Sequence, residues 1–236
     1  MAEWQNGRMA EWRNGGIASR RRSALAVVRL ALTLALVSPL SAAAQSSPGE
    51  PPALSTSSGR WDVFTFLAGA GFGLVVHEGG HLVFDEIFDA RPHVIPVHFG
   101  PLPFFAISPQ RPLSPGRLVT VTSAGFWTQS LTSELLLTRR PDLRHAHAPL
   151  AKGLLAFDLL TSMGYAAVAF AGRGPVERDT RGMALGLGLS ERAVGLVVLG
   201  PAVLDAYRYF RPDSARARWA SRIAKAASVV LVLKAP

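Results

Sequence analysis

Phe64-Thr-Phe-Leu-Ala-Gly-Ala-Gly-Phe-Gly-Leu-Val-Val-His77-Glu78-Gly-Gly-His81 decides the fold class. Thirteen apolar or small residues, lacking charge and turn signals, run straight into two histidines and a glutamate. The composition and length of the run predict a helix in contact with lipid, and a polar group placed there demands a partner. On a helix His77 and His81, four residues apart, share one face, and both imidazoles can reach one ion. Glu78 stands one residue beyond His77, where its carboxylate can touch a water beside that ion without ligating it. The chemistry that needs this set is hydrolysis: a divalent metal acidifies a water and the glutamate takes its proton.

The rest of the 236-residue chain agrees with a membrane setting. Hydrophobic residues make up 49% and charged residues 17%, with a mean hydropathy of +0.23. Soluble domains carry roughly 25% charged residues. The formal net charge is +9, but the arginines sit in short clusters between apolar runs, such as Arg139-Arg140 and Arg216 with Arg218. Nucleic-acid binders concentrate basic residues on one strip instead, so a nucleic-acid partner is not expected. The chain has no cysteine. Any metal is therefore held by His, Asp or Glu, and zinc is the metal this chemistry favours.

Outward toward the N-terminus, Arg20-Arg21-Arg22 precedes an apolar run, residues 24–40, and then Ser41-Ala42-Ala43-Ala44. That order predicts an N-terminal extension and export signal over 1–44, or else a first membrane helix. Residues 45–60 read as a Ser/Pro/Gly linker, and 61–236 as the membrane domain. Toward the C-terminus the expected apolar stretches are 61–88, 118–137, 150–171 and 193–210. A last one, 219–233, carries Arg222 and Lys225 and reads as interfacial. Between 91 and 115 the Pro-rich sequence around Gly100-Pro101 predicts two short extended segments. The expected fold class is an all-α, multi-pass transmembrane helical bundle with a short β-hairpin-like segment after the first core helix. Its orientation is open: an export signal starts residue 61 outside, yet this loads the outer loops with arginine, against the positive-inside tendency.

A catalytic zinc takes three protein ligands. Asp85 shares the helical face but lies about 9 Å beyond the pair, and Glu86 meets the same objection. Asp158, a lone charge in the apolar run Gly153-Leu-Leu-Ala-Phe-Asp158-Leu-Leu, is the favoured third ligand, with Asp205 and Glu134 as rivals. His93 and His98 are loop histidines of low weight. Gly79 and Gly80 weaken the helix by about 1 kcal/mol each, which close approach of a neighbouring helix or of substrate would offset.

These motifs resemble the site-2 protease family of intramembrane zinc metalloproteases, over roughly residues 65–165. The likeness rests on the HEGGH motif in an early hydrophobic helix, then His98-Phe-Gly-Pro101, then Ser123-Ala-Gly125-Phe-Trp-Thr-Gln129. The last has Phe126 and Gln129 where that family usually carries Pro and Asn. The resemblance implies a divergent member in a bacterial plasma membrane, zinc on His77, His81 and Asp158, and Glu78 as catalytic base. The expected partners are membrane lipids and a membrane-protein or peptide substrate. The competing expectation is a zinc-binding membrane protein without hydrolytic activity.

Overall fold

The hydrophobic stretches fold as helices whose ends fall at the signals the sequence supplies. The computed structural model describes residues 56–99 and 102–233, all within one compact unit, Pro52–Pro236. The expected export signal, most of the linker and the Gly100-Pro101 turn lie outside the described residues. Helix α1 is Thr56–Ile87; strands β1, Pro92–Phe99, and β2, Leu102–Pro109, follow; then come α2 (Pro115–Arg139), α3 (Pro149–Ala171), α4 (Asp179–Leu187), α5 (Glu191–Phe210) and α6 (Ala215–Leu233). Helix α1 thus begins inside the stretch read as linker. Helix α4 is new, in a polar segment between the expected apolar stretches.

Prolines open α2 and α3 in the first turn, where the missing N–H costs nothing. Ser190 caps α5, its hydroxyl oxygen accepting the Ala193 N–H at 3.2 Å. Gly172 and Gly188 end α3 and α4 in left-handed conformation, with φ of 63° and 64°. The two strands pair antiparallel in one register from Pro92–Pro109 to Phe99–Leu102, as the Pro-rich segment predicts.

Helices α1 and α3 pack most intimately. A Cβ on Gly69 would overlap the Leu150 carbonyl oxygen, and one on Gly153 would overlap that of Phe66. Small residues thus let the two backbones touch, the device by which apolar helices associate without a hydrophobic driving force between them. On the other side, Val119 and Phe126 of α2, Met183 and Ala184 of α4, Val194 and Val198 of α5 and Val232 of α6 form a buried apolar core.

Among the described residues, three helices are long and apolar enough to cross a membrane: Gly59–Ile87, Pro149–Ala171 and Glu191–Phe210. Large apolar side chains stand exposed along them, including Phe64, Leu67, Leu160 and Leu196. A soluble surface would bury or scatter such groups, whereas lipid accepts them.

Candidate metal centre

His77 and His81 project from α1 into the packed interior, 2% and 5% exposed. Helix α2 makes the room for them. Gly125 faces His77 so closely that a Cβ there would overlap the imidazole, and Gly80 meets the Ala124 carbonyl. Phe126 and Phe157 set ring edges against His77, with centroids 5.6 and 6.4 Å away. Tyr165 stacks on it at 6.1 Å and 23°. His81 donates Nδ1–H to the Val121 carbonyl at 2.7 Å. That bond fixes the tautomer and leaves Nε2 free to ligate, the outer-shell arrangement usual behind a metal-bound histidine.

The third member of the cluster is Asp179, the first residue of α4. Its Oδ2 stands 3.4 Å from His77 Nε2 and 3.4 Å from His81 Nε2, and the two Nε2 atoms are 3.2 Å apart. Bonds of 2.0–2.1 Å at tetrahedral angles put neighbouring ligand atoms roughly 3.3 Å apart. All three edges fit that value. With its Nδ1–H donated to Val121, His81 turns Nε2 toward His77 Nε2 and Asp179 Oδ2. The donor set therefore suits zinc.

Asp179 is held in place from behind. Arg178 donates two hydrogen bonds to Glu191, at 2.5 and 2.6 Å, and further bonds to the Gly174 and Pro175 carbonyls. The Thr180 hydroxyl donates to Glu191 at 2.9 Å. Glu191, at the start of α5, so clamps the residues on either side of Asp179. The Tyr165 hydroxyl faces the Asp179 carboxylate. Burial works to raise the Asp179 carboxyl, but the two imidazoles outweigh it and hold the group well below the usual carboxylate range.

Glu78 is half-buried and lines a cleft with His81, Asp179 and Tyr165. The opposite wall is Val97 of β1 and Phe105, Ala106 and Ile107 of β2. The proposed base, the metal cluster and a sheet edge thus share one opening.

Asp158, the third ligand expected from sequence, is not beside the histidines. It faces a separate buried pocket between α2, α3, α5 and α6, which it lines with Gln129 and Asp205. Phe157 and Tyr165 are the residues of α3 that pack on His77, whereas the Asp158 side chain lies against α2, α5 and α6. The rivals are committed to cations. Asp205 pairs with Lys225 at 2.8 Å, and Glu134 accepts from Arg208, Arg222 and Lys225. Asp85 is fully buried and Glu86 exposed. His93 donates to the Ser108 carbonyl across the hairpin at 2.7 Å, and His98 is exposed. Of the two motif glycines, Gly80 serves helix contact, whereas a Cβ on Gly79 would meet nothing.

Sequence reasoning missed Asp179 because it stands in Arg173-Gly-Pro-Val-Glu-Arg-Asp179, a polar run that reads as solvated. An acidic residue opening a short helix was the one local signal. No protein-family model, curated protein or solved structure matches the chain.

Proposed function

We propose that the chain is a multi-pass membrane zinc endopeptidase that hydrolyses a peptide bond of a protein substrate in or near the bilayer. The observation that carries this reading is the His77–His81–Asp179 triangle, whose edges of 3.2 to 3.4 Å fit a tetrahedral zinc. His77, His81 and Asp179 would hold the ion. When bound, it supplies Lewis acidity, polarising the scissile carbonyl and bringing the pKa of a water down to about 7. Glu78 takes the proton of that water as attack proceeds and returns it to the departing amine nitrogen. Tyr165 keeps the Asp179 carboxylate oriented. The packed side chains around His77 keep bulk water off the buried side of the cluster.

Strand β2 supports a peptide substrate. Phe105, Ala106 and Ile107 border the cleft, and among the described residues β2 pairs with β1 alone. A substrate unwound from helical form can lie extended alongside such a strand, which fixes its carbonyls in extended geometry. The reading agrees with the site-2 protease resemblance in the HEGGH motif and departs from it in the third ligand. It carries the expected setting with it, a bacterial plasma membrane.

The test is metal content and cleavage by detergent-purified protein. Wild type should carry stoichiometric zinc, lost in His77→Ala and Asp179→Ala and kept in Asp158→Asn. Glu78→Gln should keep zinc and lose cleavage. Wild type that stays folded yet takes up no zinc when supplied with it would end the proposal.

A further inference from the structure

The closing turn of α2 and the opening turns of α6 form a basic corner at the end of α2 distant from the triangle. Arg222 of α6 donates to the Glu134 carboxylate at 2.9 Å and to the Thr138 hydroxyl at 3.3 Å, which brings the two helix ends together. The loop after α2 folds over the end of α5, where the Arg144 guanidinium lies 5.4 Å from the Phe210 ring centroid. Arg139 and Arg140 at the end of α2, Arg211 after α5, and Arg216 and Arg218 in the first turn of α6 therefore gather at one end of the bundle.

Their charge is not met within the protein. Among the described residues none of these five arginines forms an ion pair, and all but the half-buried Arg218 are exposed. Arg218 donates to the Pro212 carbonyl at 3.0 Å, a bond that leaves its charge uncancelled. The acidic residues of the same connections are Asp142 and Asp213, and Asp142 already engages His145 at 2.8 Å. Glu134 is committed to Arg208, Arg222 and Lys225.

Alongside the corner the surface is apolar. Trp219, Ile223, Val230 and Leu233 of α6 stand exposed, and so do Leu131 and Leu135 of α2. Basic side chains at one level and bare apolar ones along the same helices suit a passage from headgroups into acyl chains. Trp219 marks that level. An indole settles among headgroups, and this ring carries the Arg222 guanidinium 5.8 Å from its centroid. The surplus of positive charge then selects among lipids. A zwitterionic headgroup brings its own ammonium and adds no net charge. A net negative headgroup supplies the missing anion, and its phosphate suits the arginine fork. We propose that this corner binds the headgroup of an anionic phospholipid through Arg139, Arg216 and Arg218, with the acyl chains against the exposed side chains of α6 beyond Trp219. The contact ties α6 to α2 at the bilayer surface. It rests on the membrane setting and not on the metal.

The experiment titrates full-length protein in neutral detergent with short-chain phosphatidylglycerol and, separately, with phosphatidylcholine of the same chains. Native mass spectrometry counts bound lipid, and the rise in Tm reads affinity. Phosphatidylglycerol should bind saturably and at least about tenfold tighter, and high salt should narrow the gap. An arginine near a membrane surface is worth about a fivefold change in affinity for acidic lipid. The triple variant Arg139→Gln, Arg216→Gln, Arg218→Gln should therefore lose the preference. Arg192→Gln, exposed at the start of α5 and so at the other end of the bundle, should keep it. If the triple variant does not fold, Arg216→Gln alone should still weaken phosphatidylglycerol about fivefold. Equal affinity for the two lipids, or a preference that survives in the folded variants, would overturn the proposal. Full displacement of phosphatidylglycerol by inorganic phosphate would overturn it too, by making the corner a phosphate site with no part for the acyl chains.

Discussion

Gly125 stands where any side chain would collide with the His77 imidazole. A glycine here is a requirement of the His77–His81–Asp179 triangle, since the ring must pass close to the α2 backbone to reach Asp179. Gly125→Val should therefore displace His77 and weaken zinc binding at least tenfold, while Gly79→Ala, beside open space, should leave affinity unchanged. Competition with a chromogenic chelator reads both. Tyr165 acts one step further out, through a hydroxyl that faces Asp179. Tyr165→Phe keeps the ring stacked on His77 and removes only that hydroxyl, so zinc affinity should fall about 10-fold or more, the usual effect of losing an outer-shell partner. If affinity is unchanged, the tyrosine is packing alone. Protons compete at the same centre with a predictable sign. Zinc needs both imidazoles neutral, whereas the Asp179 carboxyl is already held low by those imidazoles and stays ionised. Affinity should fall as pH falls, with up to two protons taken up per zinc released. Uptake of a third proton per zinc released in the same range, seen by titration in unbuffered solution, would contradict the low Asp179.

Among the elements, α4 is the one whose position makes the site, and its local sequence hides this. The HEGGH motif was legible because spacing of four places two imidazoles on one helical face. The hairpin was legible from its prolines, and five helices were legible as apolar stretches, with ends shifted by a few residues. Asp179 was not, because its relation to His77 spans 102 residues and depends on how α3 delivers the chain to α5. Asp158 drew attention for a sound reason, a buried unpaired charge, but burial alone does not say which side of α3 that charge faces. The element-scale prediction follows from the Glu191 clamp. Removing its carboxylate strands the Arg178 guanidinium, 8% exposed, and frees the start of α4. Glu191→Ala should lower stability by about 3 kcal/mol and weaken zinc binding with no change at His77 or His81. Excess zinc should recover part of the lost Tm, since a ligand for the folded state stabilises it by mass action. Failure of zinc to recover any would mean the clamp serves the fold and not the ligand.

Across the whole molecule, one charge network joins three helices at the end of α2 distant from the His77–His81–Asp179 triangle. Glu134 of α2 accepts from Arg208 of α5 at 2.5 Å and from Arg222 and Lys225 of α6 at 2.9 and 3.1 Å, and Lys225 goes on to Asp205. Arg208 is 2% exposed, so its charge has no recourse to water. The consequences of breaking the network depend on which member is removed. Glu134→Ala leaves three cations facing Asp205 alone, and a buried charge without its partner costs about 3–5 kcal/mol. Arg222→Ala removes a half-exposed partner while Glu134 keeps two others, so the loss should stay under about 1 kcal/mol. Glu134 sits nine residues along α2 from Gly125, about 14 Å at the helical rise, and no member of the network touches the triangle. Tryptophan fluorescence melts should therefore rank Glu134→Ala far below Arg222→Ala, with zinc stoichiometry unchanged in both below their transitions. Equal Tm losses would mean that the network is solvated and that α5 and α6 are held by the apolar core around Val194, Val198 and Val232. Zinc lost together with Glu134 would mean instead that the two ends of α2 move as one unit, so that the centre depends on the distant clamp.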